Sequence, residues 1–158
     1  MTKFHDREFR DTMGQFCTGV VIVTGSNNGN LVGFAAQSFV SLSLTPPLVV
    51  VCPGKTSTSW PKIRDTGHFC INVLAEDQQH ISDVFALAGK VADIDWRVGD
   101  SGAPILDGVL VYVDCVLESE HDGGDHTIAV GRVIDLDILD RDRGPLLFFR
   151  GGYGGFRS

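Results

Sequence analysis

Residues 31–52 constrain the fold more than any other part of the chain. This segment begins as an apolar strand, becomes small and hydroxyl-bearing, stops at two prolines and restarts as a valine-rich strand. Ala35, Ala36 and Ser38 leave space that a strand filling a core would occupy. Because small residues in a strand often mark the close approach of a backbone or a ligand, the segment predicts the wall of a ligand site.

Strand patterns and tight turns surround this segment. Residues 17–24 are rich in β-branched side chains, and the pair Asn28–Gly29 that follows is a strong hairpin signal. The strand at 17–24 should therefore pair antiparallel with the start of the 31–52 segment. Glycines within residues 121–125 indicate a second hairpin turn, and the glycine-rich tail at 151–155 is interpreted as backbone-permissive. The remaining strand patterns cover residues 68–74, 109–118, 126–136 and 146–150.

Three helices are predicted. The first covers residues 6–16, where apolar side chains recur at i, i+4 and i+7. The second begins at Ser59 as N-cap, with Pro61 in its first turn, and ends near Gly67. The third covers residues 76–87. The apolar faces of the first and third helices consist of Phe9, Met13 and Phe16, and of Ile81, Val84, Phe85 and Ala88.

The fold class follows from the order of these elements. Residues 89–104 are interpreted as a loop, and the remaining six or seven strands are joined mainly by hairpins. This arrangement predicts a mainly β fold with small helices, in the form of an antiparallel barrel with the helices packed around it. Because the 158 residues contain no internal repeat and no linker, residues 1–158 are expected to form a single domain.

Charge and cysteine usage exclude several classes of partner. With 13 basic and 20 acidic residues the net charge is −7, which disfavours nucleic acid and anionic membrane as general partners. No apolar run approaches the roughly 20 residues needed to span a bilayer, and no signal peptide is recognised. The expected location is the cytoplasm, because no two cysteines have metal-ligand spacing and all are interpreted as reduced thiols. They are Cys17, Cys52, Cys70 and Cys115.

The sharpest local signal lies directly after the valine-rich strand. Lys55 supplies a cation, Ser57, Thr58 and Ser59 supply hydroxyl groups, and free backbone N–H groups are expected where the next helix begins. Such turns bind phosphate well. The alternative is a well-capped surface loop.

The predicted turn at residues 121–125 brings histidines and carboxylates together. His121, Asp122, Asp125 and His126 fall within six residues, which leaves three readings: a metal site, a solvated hairpin or a single functional histidine. His126 is the better candidate for the third, because it starts a strand and can point back towards the mouth of the barrel. No Rossmann glycine fingerprint and no nucleophile elbow is found.

Several ordered motifs resemble the flavin reductase family, the small components of two-component flavin-dependent monooxygenases. Within this family the chain looks most like reductases that serve aromatic-ring and steroid-ring hydroxylases. The resemblance covers nearly the whole chain. Its motifs are Phe9-Arg10 through Gly14-Gln15-Phe16-Cys17-Thr18-Gly19-Val20, Gly33-Phe34-Ala35-Ala36-Gln37-Ser38-Phe39 with Ser41-Leu42-Ser43, Pro46-Pro47-Leu48-Val49, Ser57-Thr58-Ser59-Trp60, Phe69-Cys70-Ile71-Asn72-Val73-Leu74, Gly123-Gly124-Asp125-His126-Thr127 and Pro145-Leu146-Leu147-Phe148-Phe149-Arg150-Gly151.

This resemblance implies an FMN-binding split β-barrel that forms a homodimer, with flavin near the subunit interface. Gln37 departs from the family pattern, because many relatives have asparagine there. The implied nicotinamide side of the pocket has Gly124, Asp125 and His126, with Arg150 and Tyr153 as a C-terminal lid. The implied flavin contacts are Ala35, Ala36, Gln37, Ser38 and Ser43, and the implied phosphate turn consists of Cys52, Lys55, Ser57, Thr58 and Ser59.

The implied activity is reduction of FMN or FAD by NADH or NADPH, with transfer of hydride to flavin N5. The reduced flavin would then diffuse to a partner monooxygenase. His126 would orient the nicotinamide or stabilise charge on the reduced flavin. Two alternatives remain open: a non-catalytic flavin carrier of the same fold, and a flavin-dependent oxidase of a small substrate such as pyridoxine phosphate.

Overall fold

The computed structural model describes residues 2–87 and 91–158, and Ala88 therefore lies outside the described residues. The helices are α1 (Asp6–Met13), α2 (Trp60–Thr66) and α3 (Gln79–Ala86), with a 3₁₀ helix at Val91–Asp93. The strands are β1 (Thr18–Gly19), β2 (Val21–Asn27), β3 (Asn30–Ala36), β4 (Val40–Ser43), β5 (Leu48–Val51), β6 (His68–Val73), β7 (Trp96–Val98), β8 (Pro104–Leu106), β9 (Val111–Gly123), β10 (His126–Ile138), β11 (Leu146–Phe149) and β12 (Gly152–Gly155).

The strands form antiparallel sheets. The largest has seven strands in the order β3-β2-β6-β9-β10-β5-β4, a second has the order β1-β11-β12, and β7 pairs with β8. The predicted hairpin between β2 and β3 is confirmed, with Asn27 opposite Asn30 and the turn residues Asn28 and Gly29 at φ 52° and 81°. The prediction of a mainly β, antiparallel fold with small helices is therefore confirmed.

Both faces of the large sheet are buried near β2, because its side chains alternate between two apolar clusters. Val21 and Val23 pack in one cluster with Trp60 and Ile63 of α2. Ile22 packs in the other, where Ile81 and Phe85 of α3 cover the opposite face. The period of two in a strand thus explains why β2 is apolar at each of its first three positions, 21 to 23.

Three sequence predictions need correction. Residues 89–104, interpreted as a loop, contain β7 and the first residue of β8, because strands of three residues are too short to show alternation. The tail at 151–155 includes β12, which pairs with β11 through a turn at Arg150 and Gly151. The β9–β10 turn is tighter than predicted, because β9 continues to Gly123 and leaves only Gly124 and Asp125 between the strands. Gly124 adopts φ 76°, as such a turn requires.

The first predicted helix exists but is shorter and not buried. It ends at Met13, and every residue of α1 is exposed. Phe9 and Met13 remain 52% and 53% exposed, and Phe16 remains 77% exposed. The apolar face of α1 is therefore available to a ligand or a partner. No helix in the described ranges is long and apolar enough to cross a membrane.

Arg143 connects three segments on one side of the fold. Its Nε donates to Asp140 Oδ2 at 2.6 Å, one Nη donates to Asp77 Oδ1 at 2.8 Å, and the other donates to the carbonyl of Gly108. The hydrogen bond from Arg143 lowers the pKa of Asp140 from its ordinary 3.8 to about 2. The ion pair therefore stabilises the fold above pH 3.8, and its contribution is lost as the pH falls towards 2.

As the pH falls from 4 to 2, we expect the free energy of unfolding to decrease less in Asp140→Asn than in the unaltered protein. The reason is that asparagine, unlike the Asp140 carboxylate, cannot take up a proton in this range. Urea unfolding midpoints measured at half-unit pH steps provide the test. Asp142→Asn is the control, because Asp142 has an exposed side chain outside this set of ion pairs. Equal pH dependence in the Asp140→Asn and unaltered proteins would contradict the assignment.

Candidate functional site

An open groove of about 1390 Å³ runs between α1 and the large sheet. Its walls come from the end of α1 and the segment after it, the connection between β3 and β4, and the β11–β12 turn. Most of the lining surface is apolar, although seven of the seventeen lining residues have polar side chains. The lining residues are Phe9, Arg10, Asp11, Met13, Gly14, Gln15, Phe16, Cys17, Thr18, Gly19, Gln37, Ser38, Phe39, Val40, Phe148, Arg150 and Gly151.

Hydrogen bonds hold the groove walls together. The backbone N–H of Arg150 donates to the carbonyl of Gly14 at 3.0 Å, and its Nε donates to Gln15 Oε1 at 2.8 Å. Across the groove, Thr18 Oγ1 donates to Gln37 Oε1 at 3.1 Å. The amide of Gln37 is therefore oriented by the protein, and its N–H₂ group remains available to a ligand.

The predicted flavin wall is only partly on this groove. Gln37 and Ser38 line it. Ala35 and Ala36, at the end of β3, are half-buried and pack against the two opposite apolar clusters of the sheet. Ser43, at the end of β4, is half-buried and pairs with Leu48. Flavin contacts by these three residues stay predictions.

Ser38 connects the groove to the predicted phosphate turn. Its Oγ accepts a hydrogen bond from the backbone N–H of Cys52 at 2.9 Å, directly before that turn. The hydroxyl proton of Ser38 is still free to donate, since a serine oxygen accepts and donates independently. The two regions that the sequence predicts as ring and phosphate contacts are therefore adjacent.

Within the predicted phosphate turn, Ser57 and Ser59 have different roles. Ser59 occupies the N-cap position of α2 but makes no capping bond, and its hydroxyl donates to the carbonyl of Gly33 at 2.9 Å. The prediction of Ser59 as a capping side chain is therefore wrong, and its only O–H donor is used within the protein. Ser57 Oγ instead accepts from the N–H of Trp60 at 3.2 Å, which leaves its own proton for a phosphate. Thr58 is exposed.

Lys55 is paired with a carboxylate of the β9–β10 hairpin. Its Nζ forms a hydrogen-bonded ion pair with Asp122 Oδ1, and both side chains are exposed, at 47% and 77%. The hydrogen bond from Lys55 lowers the pKa of Asp122 below its ordinary value. A phosphate that binds Lys55 must therefore compete with Asp122.

Backbone hydrogen bonds join the phosphate turn to the Gly-Asp-His turn. The N–H of Lys55 donates to the carbonyl of Asp125 and the N–H of Thr127 donates to the carbonyl of Pro53, both at 2.9 Å. Gly54 pairs directly with His126. A β-carbon added at Gly54 would lie 3.7 Å from His126 Nε2, so this nitrogen points towards the turn.

Asp125 holds the ring of His126. Its Oδ1 lies 2.7 Å from His126 Nδ1, and this hydrogen bond lowers the pKa of Asp125 below its ordinary value. His121, the other histidine of the hairpin, is exposed, and its Nε2 lies 3.1 Å from Ser119 Oγ. Of the two, His126 is the histidine that lies against the phosphate turn.

The structure separates the two residues of the implied lid. Arg150 lines the groove, with its guanidinium 4.6 Å from the centre of the Phe149 ring. Tyr153 packs into the apolar cluster beneath α3, where its hydroxyl lies 2.9 Å from Ser82 Oγ and its ring meets Phe148 edge to face at 5.1 Å. The structure gives Tyr153 a packing role, and its contact with a ligand stays a prediction.

The sequence analysis assigned no site role to α1, although α1 and the residues after it supply much of the groove. The signal was present in the apolar spacing of Phe9, Met13 and Phe16. Periodicity identifies an apolar face but not what covers it. Arg10 belongs to the family motif at residues 9–20, but the resemblance assigned it no role at the site.

The groove offers an apolar, aromatic surface with a free polar donor. Phe16, Phe39 and Phe148 supply apolar lining, and the amide of Gln37 supplies the donor. A scan against protein-family models matches residues 13–157 to the flavin reductase like domain. The chain belongs to the flavin reductase family.

Curated and solved relatives agree with this membership. This flavin reductase-family chain is 54% identical over 151 residues to the flavin-dependent monooxygenase reductase subunit HsaB of Rhodococcus jostii (strain RHA1), covering 94% of this chain and 77% of the relative. Nitrilotriacetate monooxygenase component B from Mycobacterium thermoresistibile superposes with a TM-score of 0.91 at 50% identity, covering 96% and 86%. The Streptomyces globisporus NADH:FAD oxidoreductase SgcE6, in complex with NAD and FAD fragments, has a TM-score of 0.90 at 34% identity, covering 96% and 93%.

Proposed function

We propose that this chain is a flavin reductase that uses NADH or NADPH to reduce FMN or FAD and supplies the reduced flavin to a partner monooxygenase. Membership of the family and the names of its relatives support this activity. The observation that carries it is the hydrogen bond between Ser38 and Cys52. This bond brings the Ser38 wall of the groove next to the hydroxyl-rich turn, against which His126 lies, and so supports ring, phosphate and nicotinamide contacts close to one another.

When bound, the nicotinamide and the flavin supply the redox chemistry by hydride transfer. The protein residues position them. Gln37 presents its amide to the edge of the flavin ring, and Ser57 and Lys55 bind its phosphate. Asp125 fixes the imidazole of His126, whose Nε2 orients the nicotinamide or donates a hydrogen bond where negative charge develops.

The finer features of the fold belong to the same proposal. The seven-stranded sheet closes into a split barrel, and residues 1–158 act as one domain. The location is the cytoplasm, which the four free thiols favour.

The chain acts as a homodimer, because β4 and β10 expose apolar side chains that a second copy would cover. A monomeric mass in light scattering would contradict the homodimer. The exposed residues are Val40, Leu42, Ile134, Leu136 and Ile138.

NADH oxidation measured with FMN, FAD and riboflavin in turn tests the proposed function. Oxidation that scales with added flavin is expected. A flavin carrier would bind flavin without oxidising NADH. An oxidase would keep a tightly bound yellow flavin and release peroxide with its own substrate, such as pyridoxine phosphate. Either result would contradict the reductase.

The ion pair of Lys55 allows a sharper test of the phosphate turn. We expect Lys55→Gln to raise the KM for FMN about tenfold, because it removes a charged donor to phosphate, and to leave the KM for riboflavin much less changed. Asp122→Asn should lower the KM for FMN about two- to fivefold, because it removes the competing carboxylate of an exposed ion pair. Equal shifts for FMN and riboflavin would exclude Lys55 from phosphate binding.

A further inference from the structure

Two arginines of the groove extend from either side of a single glycine. The N–H of Gly14 donates to the carbonyl of Arg10 at 2.9 Å, and the carbonyl of Gly14 accepts from the N–H of Arg150 at 3.0 Å. A β-carbon at Gly14 would lie 3.2 Å from the Arg10 oxygen and 3.8 Å from the Arg150 α-carbon. The end of α1 and the β11–β12 turn are therefore held together at Gly14. Both arginines line the same groove.

Among the described residues, no carboxylate forms an ion pair with either of these guanidinium groups. Lys55, Arg132 and Arg143 each form an ion pair with a carboxylate. Within residues 2–87 and 91–158, neither Arg10 nor Arg150 does. Arg150 donates through Nε to the neutral amide of Gln15, which leaves its two terminal nitrogens for a ligand.

Local charge and size both point to an extended anionic ligand. The chain carries a net charge of −7, yet the groove lining contains two arginines and one carboxylate, Asp11. Its volume of about 1390 Å³ exceeds the range of about 300–1,000 Å³ that is usual for small-molecule sites. The groove can therefore hold more than a mononucleotide.

We propose that Arg10 and Arg150 bind the pyrophosphate of a dinucleotide in this groove. This assignment rests on the proposed function and adds Arg10 to its site. Two adjacent phosphates present the paired oxygens that guanidinium groups bind with two parallel hydrogen bonds each. The apolar residues of the same groove cover the aromatic part of the ligand. The pyrophosphate belongs either to the nicotinamide cofactor or to FAD. In FAD the arginines would contact the phosphate on the adenosine side, because Lys55 and Ser57 hold the phosphate next to the flavin. The experiment distinguishes these sources.

The test compares ligands that differ only in having the second nucleotide. Calorimetry measures the binding of FAD and FMN, and of NAD⁺ and nicotinamide mononucleotide, to the full chain. Arg10→Gln keeps a long helix-forming side chain without its charge, and Arg10→Lys keeps the charge without the planar fork. Arg7→Gln is the matched control, because Arg7 is exposed on the same helix and does not line the groove.

In Arg10→Gln we expect the preference for FAD over FMN, or for NAD⁺ over its mononucleotide, to fall at least tenfold. The pair whose preference falls identifies the source of the pyrophosphate. Arg10→Lys should lose part of this preference, and Arg7→Gln should keep it within twofold. If both preferences in Arg10→Gln stay within twofold of the unaltered protein, or if Arg7→Gln loses as much, the proposal is wrong.

Binding and turnover are measured separately, so the two proposals can fail separately. An active reductase whose preferences do not depend on Arg10 would overturn the pyrophosphate site alone. A chain that loses dinucleotide preference in Arg10→Gln but oxidises no NADH with any flavin would overturn the reductase alone. Circular dichroism of each variant verifies that α1 and the sheets are retained, and Arg10→Lys provides a second variant.

Discussion

Replacing Gly33 with alanine is expected to lower the free energy of unfolding by about 3 kcal/mol. A β-carbon at this position in β3 would lie 2.7 Å from the carbonyl oxygen of Val23 and 2.9 Å from Cε1 of Phe85. The first contact is with the backbone of β2, the strand paired with β3, and relieving it requires these strands to move apart. Urea unfolding followed by tryptophan fluorescence measures the change.

Gly154→Ala is the control for this substitution. Gly154 also lies in a strand, but a β-carbon there meets nothing within 4 Å. The control should change the unfolding free energy by no more than about 0.5 kcal/mol. If the two substitutions changed the unfolding free energy equally, the close contacts of a β-carbon at position 33 would not be destabilising, and the prediction would be wrong.

The same substitution should also affect the site. The carbonyl of Gly33 accepts the hydroxyl of Ser59 at 2.9 Å, and β3 leads directly into Gln37 and Ser38. Displacing β3 would therefore move the start of α2 and the groove wall together. The packing of β3 against β2 and Phe85 therefore explains why the Gly33–Phe39 motif begins with glycine, and this explanation does not require a flavin contact.

Local signals were sufficient to predict much of the fold. Asn28–Gly29 identified the β2–β3 hairpin, because this pair adopts the positive φ angles that the turn needs. Pro61 and Gly67 similarly predicted the bounds of α2, and Gly67 adopts φ 74° as its C-cap. Such signals depend only on neighbours in the chain, which is why the sequence contains them.

Interactions between distant residues were not predictable in this way. Asp122 is 67 positions from Lys55, and only the fold places it close enough to neutralise that cation. Ser59 was predicted to cap α2, but its hydroxyl instead donates to the carbonyl of Gly33 on another strand. The approach of Arg150 to the end of α1 likewise depends on a hydrogen bond between residues far apart in the chain, from Arg150 to Gly14.

The second large effect is expected at His126. We expect His126→Ala to lower kcat/KM for NADH roughly 100-fold, which is typical of removing one donor from a site of developing charge. Asp125 holds the ring through Nδ1 at 2.7 Å, and the other nitrogen faces the turn at Gly54. Steady-state NADH oxidation at saturating flavin measures the loss, and anaerobic stopped-flow separates nicotinamide binding from flavin reduction.

Two further variants separate position from chemistry. Asp125→Asn keeps an oxygen that can accept a hydrogen bond from His126 Nδ1 but removes the charge that favours one orientation of the ring. We expect a smaller loss in kcat, about five- to tenfold, because exposed charge pairs are worth only about 1 kcal/mol. His121→Ala removes the exposed histidine of the same hairpin and should stay within twofold of the unaltered protein. If His126→Ala changed neither the apparent affinity for NADH nor the flavin reduction rate, or if His121→Ala lost as much activity, His126 would have no role at the nicotinamide side. Because the hydrogen bond from His126 lowers the pKa of the Asp125 carboxyl, this carboxyl is charged throughout an assay between pH 6 and pH 8.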